Sequence, residues 1–182
     1  MEAVKGGDLE KVRVLMEKGF RFDQADRYGW IPLHYAAFHG RKEAVEFLIS
    51  RGIDGNRRTL SGKSAYNLCL EMGGKDISQL LSSKGFDSSP PEFPVLEGEY
   101  LGQQRPGEKP EVFALGIVSS PETEHGSVTF SPDSRTIYWT AAERTTAGPP
   151  GGSFKVYSSH REKDRWTAPQ HSFFYRRSIG HG

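Results

Sequence analysis

The tripeptide Gly62-Lys63-Ser64 has the residue types and order that end a phosphate-binding loop. In such a loop, successive backbone N–H groups surround an anion, and the lysine contacts the phosphate. The loop also needs a glycine five residues before its second glycine, so that the backbone can curl around the anion. Arg57 occupies that position, and Arg58 follows it, so side-chain bulk obstructs the curl. The tripeptide therefore does not predict a nucleotide site.

Other residue types that support catalysis or bind metals are present but not in useful patterns. No pair of histidines has the H-x-x-x-H or H-E-x-x-H spacing of a metal site, and no G-x-S-x-G sequence marks a serine nucleophile. Asp133 lies in a sequence typical of a turn, where an aspartate bonds its own backbone. We expect a non-enzymatic protein without a cofactor or a metal. The six histidines are His34, His39, His125, His160, His171 and His181.

The elements that carry these residues follow an internal repeat, whose period is the interval from Gly7 to Gly40. Shifting the sequence by that period superimposes glycines and leucines from three segments, and it places Gly29 on Gly62. Each segment then has apolar residues at helical spacing and a glycine where a helix would end. The superimposed sets are Gly7, Gly40 and Gly73; Leu15, Leu48 and Leu81; and Gly19, Gly52 and Gly85.

The middle segment, residues 26–56, resembles an ankyrin repeat. Its residues 31–36 are IPLHYA, close to the T-P-L-H-x-A signature of that family, whose repeats are about 33 residues long. The resemblance implies that each repeat contains two helices after a turn. It also implies that Gly62-Lys63-Ser64 is the turn glycine and helix start of the third repeat. In the same way, the ring of His34 is expected to brace neighbouring turns by hydrogen bonds.

Residues 1–87 are expected to contain about two and a half such repeats in a short α-solenoid. The first begins at MEAVKGGDLE, which leaves room for one turn of its first helix. Ile31 replaces the threonine of the motif, and the third repeat has Ala65-Tyr66-Asn67 where the second has Pro-Leu-His. Each repeat has an apolar flank that only a neighbour can bury. Cys69 lies in a first helix, where we expect a small buried side chain.

The second half of the chain has the sequence pattern of β-strands. A Pro/Ser-rich linker is predicted over residues 88–94, and a β-rich domain over 95–182. Strands are predicted at 111–118, 126–131, 136–142 and 154–159, where β-branched and aromatic residues lie between turn residues. The fold class is therefore α+β, with a short solenoid followed by a small antiparallel β-meander.

Residues 126–142 resemble one blade of a TolB-like β-propeller. The motif is Phe130-Ser131-Pro132-Asp133, followed by a strand containing Ile-Tyr, although Ser134 replaces the usual turn glycine. One blade cannot close a propeller, which needs four to eight. The β-domain is therefore expected to be incomplete, to pack on the repeats, or to pair with another chain through its edge.

The resemblance to ankyrin repeats implies that a protein partner binds a concave surface formed by turn tips and inner helix ends. Aromatic residues and arginine dominate the energetics of such contacts. As an alternative, Trp30 and Phe38 pack on the β-domain. The predicted partner-binding residues are Arg27, Tyr28, Trp30, Phe38, His39, Leu60, Ser61 and Lys63.

Composition restricts the remaining alternatives. The net charge of +1 and pI of about 7.9 do not favour nucleic-acid binding, and no apolar run has the length of a membrane helix. The start of the chain lacks the apolar region of a secretory signal, which favours the cytoplasm, whereas TolB-like propellers point to the periplasm. One alternative is that the chain is the amino-terminal regulatory part of a larger propeller-containing hydrolase. Another is a dimer formed by β-edge pairing.

Overall fold

The computed structural model describes residues 1–104, 112–121, 125–143 and 153–172. They form two compact units. The first consists of Met1–Pro94 together with Val112–Pro121, and the second contains Val95–Gln104 and the described residues from 125 onward. Val112–Pro121 therefore belongs to the first unit, although it follows the start of the second unit in the chain.

Three helix pairs build the first unit. Within each pair, the first helix has five or seven residues and the second has nine. The first helix of the chain is the short one, as its sequence predicted. The pairs are α1 (Glu2–Gly6) with α2 (Leu9–Glu17), α3 (Pro32–Phe38) with α4 (Lys42–Ser50), and α5 (Ala65–Glu71) with α6 (Lys75–Ser83).

Positions one repeat period apart share an environment in the core of the first unit. Ala3, Ala36 and Cys69 occupy one such position on the three first helices, and all are buried. Only a small side chain fits where neighbouring helices approach this closely, which explains why a cysteine replaces alanine in the third pair. Its Sγ donates to the carbonyl of Tyr66 at 3.1 Å, and burial raises the pKa of the thiol to about 11. The prediction that Cys69 is a buried structural residue is confirmed.

Residues 87–92 continue the first unit past its last helix. The N–H of Glu92 donates to the carbonyl of Gly62 at 3.1 Å, and the amide nitrogen of Asn67 donates to the carbonyl of Ser89 at 2.9 Å. Arg58 donates to the carboxylate of Asp87 at 2.6 Å and to the hydroxyl of Ser89 at 2.6 Å. The sequence predicted a linker over 88–94, but these bonds fasten its first half to the third repeat.

The predicted strand over 111–118 is wrong for the described residues 112–118. They form a turn, with Ala114 and Gly116 at φ of 47° and 81°. Both values lie in the left-handed region, which interrupts an extended strand. Alternating apolar residues suggested the strand, but sequence alone does not reveal that the backbone reverses at Gly116.

An antiparallel sheet of five strands forms the second unit. Its strand order is β1-β2-β3-β4, and β5 pairs with β3. The strands predicted at 126–131, 136–142 and 154–159 are confirmed as β1, β2 and β3, whereas the two short strands were not predicted. The bounds are β1 (His125–Phe130), β2 (Thr136–Glu143), β3 (Ser153–Glu162), β4 (Arg165–Trp166) and β5 (Gln170–His171).

Alternate residues of β2 supply the core of this sheet. Ile137, Trp139 and Ala141 are buried, as is Trp166 of β4. Trp139 also stacks on its cross-strand partner Tyr157, with ring centroids 5.9 Å apart. This alternation is what the period of two in the sequence predicted.

The turn between β1 and β2 has the geometry that its sequence predicted. The hydroxyl of Ser131 donates to the carboxylate of Asp133 at 2.5 Å, and the backbone N–H of Arg135 donates to the same oxygen at 3.0 Å. The hydrogen bond from Ser131 is the main reason that the pKa of Asp133 is lowered. Asp133 is confirmed as a turn residue, and Ser134 adopts φ of 56°, in the left-handed region.

Candidate protein-binding surface

Two tight turns carry most of the predicted binding residues. In residues 26–29, the N–H of Gly29 donates to the carbonyl of Asp26 at 3.0 Å, and in residues 59–62 the N–H of Gly62 donates to Thr59 at the same distance. Each turn is closed by a second bond, from Asp26 N–H to the carbonyl of Trp30 and from Thr59 N–H to that of Lys63, both at 2.9 Å. The internal repeat thus reproduces the same turn twice.

The carboxylate of Asp26 makes the first turn rigid. One of its oxygens accepts the backbone N–H groups of Tyr28 and Trp30, both at 2.9 Å. The other accepts the hydroxyl of Tyr35 at 2.6 Å, which ties the turn to α3. Burial, followed by this hydrogen bond, raises the pKa of the Tyr35 phenol, so that it remains a donor across the physiological range.

The two turns contact each other directly. The N–H of Leu60 donates to the carbonyl of Tyr28 at 3.1 Å, and a Cβ placed on Gly29 would lie 2.8 Å from that same nitrogen. Glycine is therefore required for the tips to approach this closely. The result is one continuous surface on which Arg27 and Leu60 are exposed.

Trp30 and Phe38 are buried rather than exposed, with 1% and 6% of their surfaces accessible. The Trp30 ring lies 4.8 Å from that of Tyr35 and 5.6 Å from that of Phe38, in tilted and edge-on arrangements. Large aromatic rings gain more from this packing than from solvent exposure. The prediction that these two residues contact a partner directly is therefore corrected, because their buried side chains leave almost no accessible area for a partner.

The third repeat replaces this aromatic pair with an ion pair. Lys63 and Glu71 stand one repeat period after Trp30 and Phe38, and the Lys63 ammonium lies 2.9 Å and 3.0 Å from the two carboxylate oxygens of Glu71. Both side chains are partly exposed. The character of the inner helix face therefore changes from aromatic to charged between adjacent repeats.

The accessible members of the predicted set are Arg27, Tyr28, His39, Leu60, Ser61 and Lys63, which we call the tip surface. Arg27 and Leu60 are exposed, and the other four are partly buried. Leu60 has 46% of its surface accessible, a high value for a leucine on an ordered turn. The tip surface thus combines an apolar side chain with guanidinium, phenol, imidazole and ammonium groups.

Every residue of the Gly62-Lys63-Ser64 tripeptide has a structural role. Gly62 is the turn glycine, at φ of 75°, and Lys63 pairs with Glu71. Ser64 precedes α5 and accepts the N–H of Asn67 at 3.3 Å, as a helix-capping serine does. The prediction of a turn glycine followed by a helix start is confirmed.

His34 braces two repeats, as predicted. Its Nδ1 accepts the N–H of Ile31 at 3.1 Å, which leaves the proton on Nε2 to be donated to the carbonyl of Arg57 at 2.8 Å. Sequence reasoning missed that Asn67 does the same in the third repeat: its side chain accepts the N–H of Ser64 and donates to Ser89. The available signal was that His34 and Asn67 lie one repeat period apart.

Two classes of site find no support in the described part of the chain. No group of three or more histidine, cysteine, aspartate or glutamate side chains there could hold a metal ion. Within the same residues, no helix combines the length and apolar character needed to cross a membrane.

The geometry of the helix pairs and the sequence comparisons indicate the same class of structural repeat. A family model described as ankyrin repeats matches residues 1–90 in three copies. Residues 1–90 are therefore three ankyrin repeats, rather than the two and a half that the short α1 suggested. The matched range extends past α6 and includes Asp87 and Ser89, which are hydrogen-bonded to Arg58 and Asn67 of the third repeat.

Several curated proteins are similar to part of this chain. Ankyrin repeat and SOCS box protein 3 from Homo sapiens is 34% identical over 88 residues, which are 47% of this chain and 17% of that protein. Protein phosphatase 1 regulatory subunit 27 from Mus musculus is 34% identical over 86 residues, 47% of this chain and 55% of the relative. The 2-5A-dependent ribonuclease of Mus musculus is 39% identical over 67 residues, which are 36% of this chain and 9% of that protein. The matched segment thus spans between about a tenth and just over half of these relatives.

Proposed function

We propose that this chain is a non-enzymatic module that binds a protein partner through the tip surface of its ankyrin repeats. Ankyrin repeats imply protein–protein interaction in general, and the relatives carry very different functions in their names while sharing the repeats. What they have in common with this chain is similarity to a segment of 67 to 88 residues, and this favours binding over catalysis as the role of this region.

The observation that carries the proposal is the direct hydrogen bond between the two tips, from Leu60 to Tyr28. It fixes an exposed leucine beside an exposed arginine on a preformed surface. A preformed surface loses little conformational entropy on binding, and apolar and arginine side chains supply the contact energy. The partner chemistry that fits is a protein segment with an apolar residue for Leu60 and an acidic group for Arg27.

Affinity purification with matched variants tests this proposal. The tip variant carries Arg27→Ala and Leu60→Ser, and the control carries Glu46→Ala and Lys84→Ala, two exposed positions on α4 and directly after α6. We expect the wild type and the control to retain the same partner and the tip variant to lose it. Equal retention by all three proteins would show that the contact lies elsewhere.

We also propose that the second unit is a propeller-type blade. The consecutive antiparallel order of its first four strands and the geometry of the Ser131–Asp133 turn support this assignment. Sequencing the gene beyond the codon for Gly182 tests it. Further Phe-Ser-Pro-Asp repeats are expected if the sheet is one blade of several, and a nucleophile elbow among them would favour the regulatory part of a hydrolase. A different downstream sequence would remove both ideas.

A further inference from the structure

Residues 112–121 form a compact loop that is closed by its own hydrogen bonds. The carbonyl of Ala114 accepts the N–H groups of Ile117, Val118 and Ser119 at 3.0, 2.9 and 3.1 Å. The N–H of Gly116 donates back to the carbonyl of Ser119 at 2.6 Å. The loop therefore has a defined shape without a helix or a strand of its own.

Gly116, at the turn of this loop, lies directly against Leu60 of the tip surface. A Cβ placed on Gly116 would be 2.5 Å from the Cβ of Leu60 and 3.3 Å from its carbonyl carbon. Gly116 also adopts φ of 81°, which other residues rarely take. Two features therefore require glycine at this position: the left-handed backbone conformation, and the lack of space for a side chain against Leu60.

Two apolar side chains of this loop are buried. Ala114 and Val118 each have 3% of their surface accessible, whereas Val112 at the start of the loop has 45%. The loop belongs to the same compact unit as Met1–Pro94, and its contact with Leu60 lies within that unit.

We infer that the tip surface at Leu60 is a receptor for a short glycine-centred loop, and that Val112–Pro121 is its resident ligand within the same chain. This inference rests on the proposed function, because it concerns the same surface. It specifies the partner as a protein segment that presents a left-handed glycine between aliphatic residues. Such a partner must displace the resident loop, so the loop lowers the apparent affinity of the tip surface for the partner.

A peptide of the loop sequence, VFALGIVSSP, provides the probe. Its binding is measured by fluorescence anisotropy to the full wild-type chain and to two released receptors. One receptor carries Gly116→Val, which forces the loop off Leu60, and the other has residues 112–121 replaced by a glycine–serine sequence of equal length. The second receptor keeps the test valid if Gly116→Val impairs folding. The control peptide, VFALVIVSSP, lacks the glycine.

We expect the loop peptide to bind a released receptor at least about tenfold more tightly than it binds the wild type, because the tethered loop competes at high effective concentration. The control peptide should bind none of the three proteins. Failure of the loop peptide to bind the receptor with the glycine–serine replacement would overturn the inference. Equal binding of both peptides, or equal binding to wild type and released receptors, would also overturn it.

The outcomes separate this inference from the proposed function. The peptide experiment involves no external partner, so it can fail while affinity purification still shows partner loss in the tip variant. Conversely, peptide binding with unchanged partner retention by the tip variant would overturn the proposed function and the statement that a partner displaces the loop, while the loop itself would still be shown to bind the tip surface.

Discussion

A single ring in the second repeat shows how a buried polar residue links adjacent repeats. His34 has 1% of its surface accessible, and both ring nitrogens are satisfied by backbone groups on either side. Burial is the main cause that lowers the pKa of His34 to about 4. The imidazole is therefore neutral in the folded protein. Protonation would remove the acceptor at Nδ1 and would place a charge in a buried, poorly solvated site.

Because the buried His34 is neutral in the folded protein, we expect the protein to lose stability in acid. Replacing His34 with asparagine should remove this loss. Because the folded pKa of about 4 lies below the ordinary 6.5, the unfolded chain takes up a proton first as the pH falls, so stability is complete above pH 6.5 and is lost towards pH 4. We expect His34 to account for about 2 kcal/mol of the unfolding free energy lost between pH 7 and pH 5. His34→Asn should fold, since Asn67 makes the same two bonds one repeat later, and should lack that loss.

Urea unfolding of both proteins at pH 7 and pH 5 measures the difference. The comparison cancels the contributions of the other titrating groups, which the two proteins share. An identical loss of stability in the wild type and in His34→Asn would mean that the pKa of His34 is the same in the folded protein as in the unfolded chain.

At the scale of elements, residues 87–92 cover the third repeat and accept a hydrogen bond that a following repeat would otherwise accept. The bond from Asn67 to Ser89 corresponds to the bond from His34 to Arg57 one repeat earlier. Gly62 is the point where this segment lies closest: a Cβ there would fall 1.6 Å from the carbonyl oxygen of Glu92. The third repeat is thus covered by a segment without regular secondary structure instead of a fourth helix pair.

Gly62→Ala should therefore be more destabilising than an alanine at a matched glycine. Gly85 has nearly the same backbone conformation, with φ of 76° against 75°, but nothing lies within 4 Å of a Cβ placed there. Gly85→Ala should cost about 1 kcal/mol for the left-handed backbone. Gly62→Ala should cost about 1–3 kcal/mol more, because the added methyl group displaces residues 87–92. Urea unfolding compares the two variants, and equal costs would show that the segment does not press on Gly62.

How far the sequence predicts these elements depends on whether a signal is periodic. The repeat period and the ankyrin motif predict the helix pairs, the role of His34 and the helix start after Gly62, because each depends on local pattern. The docking of residues 87–92 and the turn at Gly116 depend on contacts with residues far away in the chain, which leave no periodic trace. The burial of Trp30 was missed for a different reason: its ring contacts Tyr35 and Phe38 nearby in the chain, but an aromatic residue at a turn end looks the same in sequence whether it is covered or exposed.

At the scale of the whole molecule, the chain has two cores of different construction. The first core follows the repeat period of the ankyrin units, and its central leucines, such as Leu68, are inaccessible to solvent. The second is one face of the sheet, where Ile137 is equally inaccessible. Solenoid stability is the sum of neighbour contacts, whereas the sheet depends on a single layer of cross-strand pairs.

Because the two cores are separate, truncating one should leave the other protected. Leu68→Ala and Ile137→Ala each remove a fully buried side chain and should each cost about 2–5 kcal/mol in the unit concerned. Hydrogen exchange measured by mass spectrometry distinguishes the units, since exchange follows local opening. Leu68→Ala should accelerate exchange in α3 to α6 while β1 to β3 remain protected, and Ile137→Ala should do the reverse. Acceleration of both units by either variant would mean that the chain unfolds as one cooperative body.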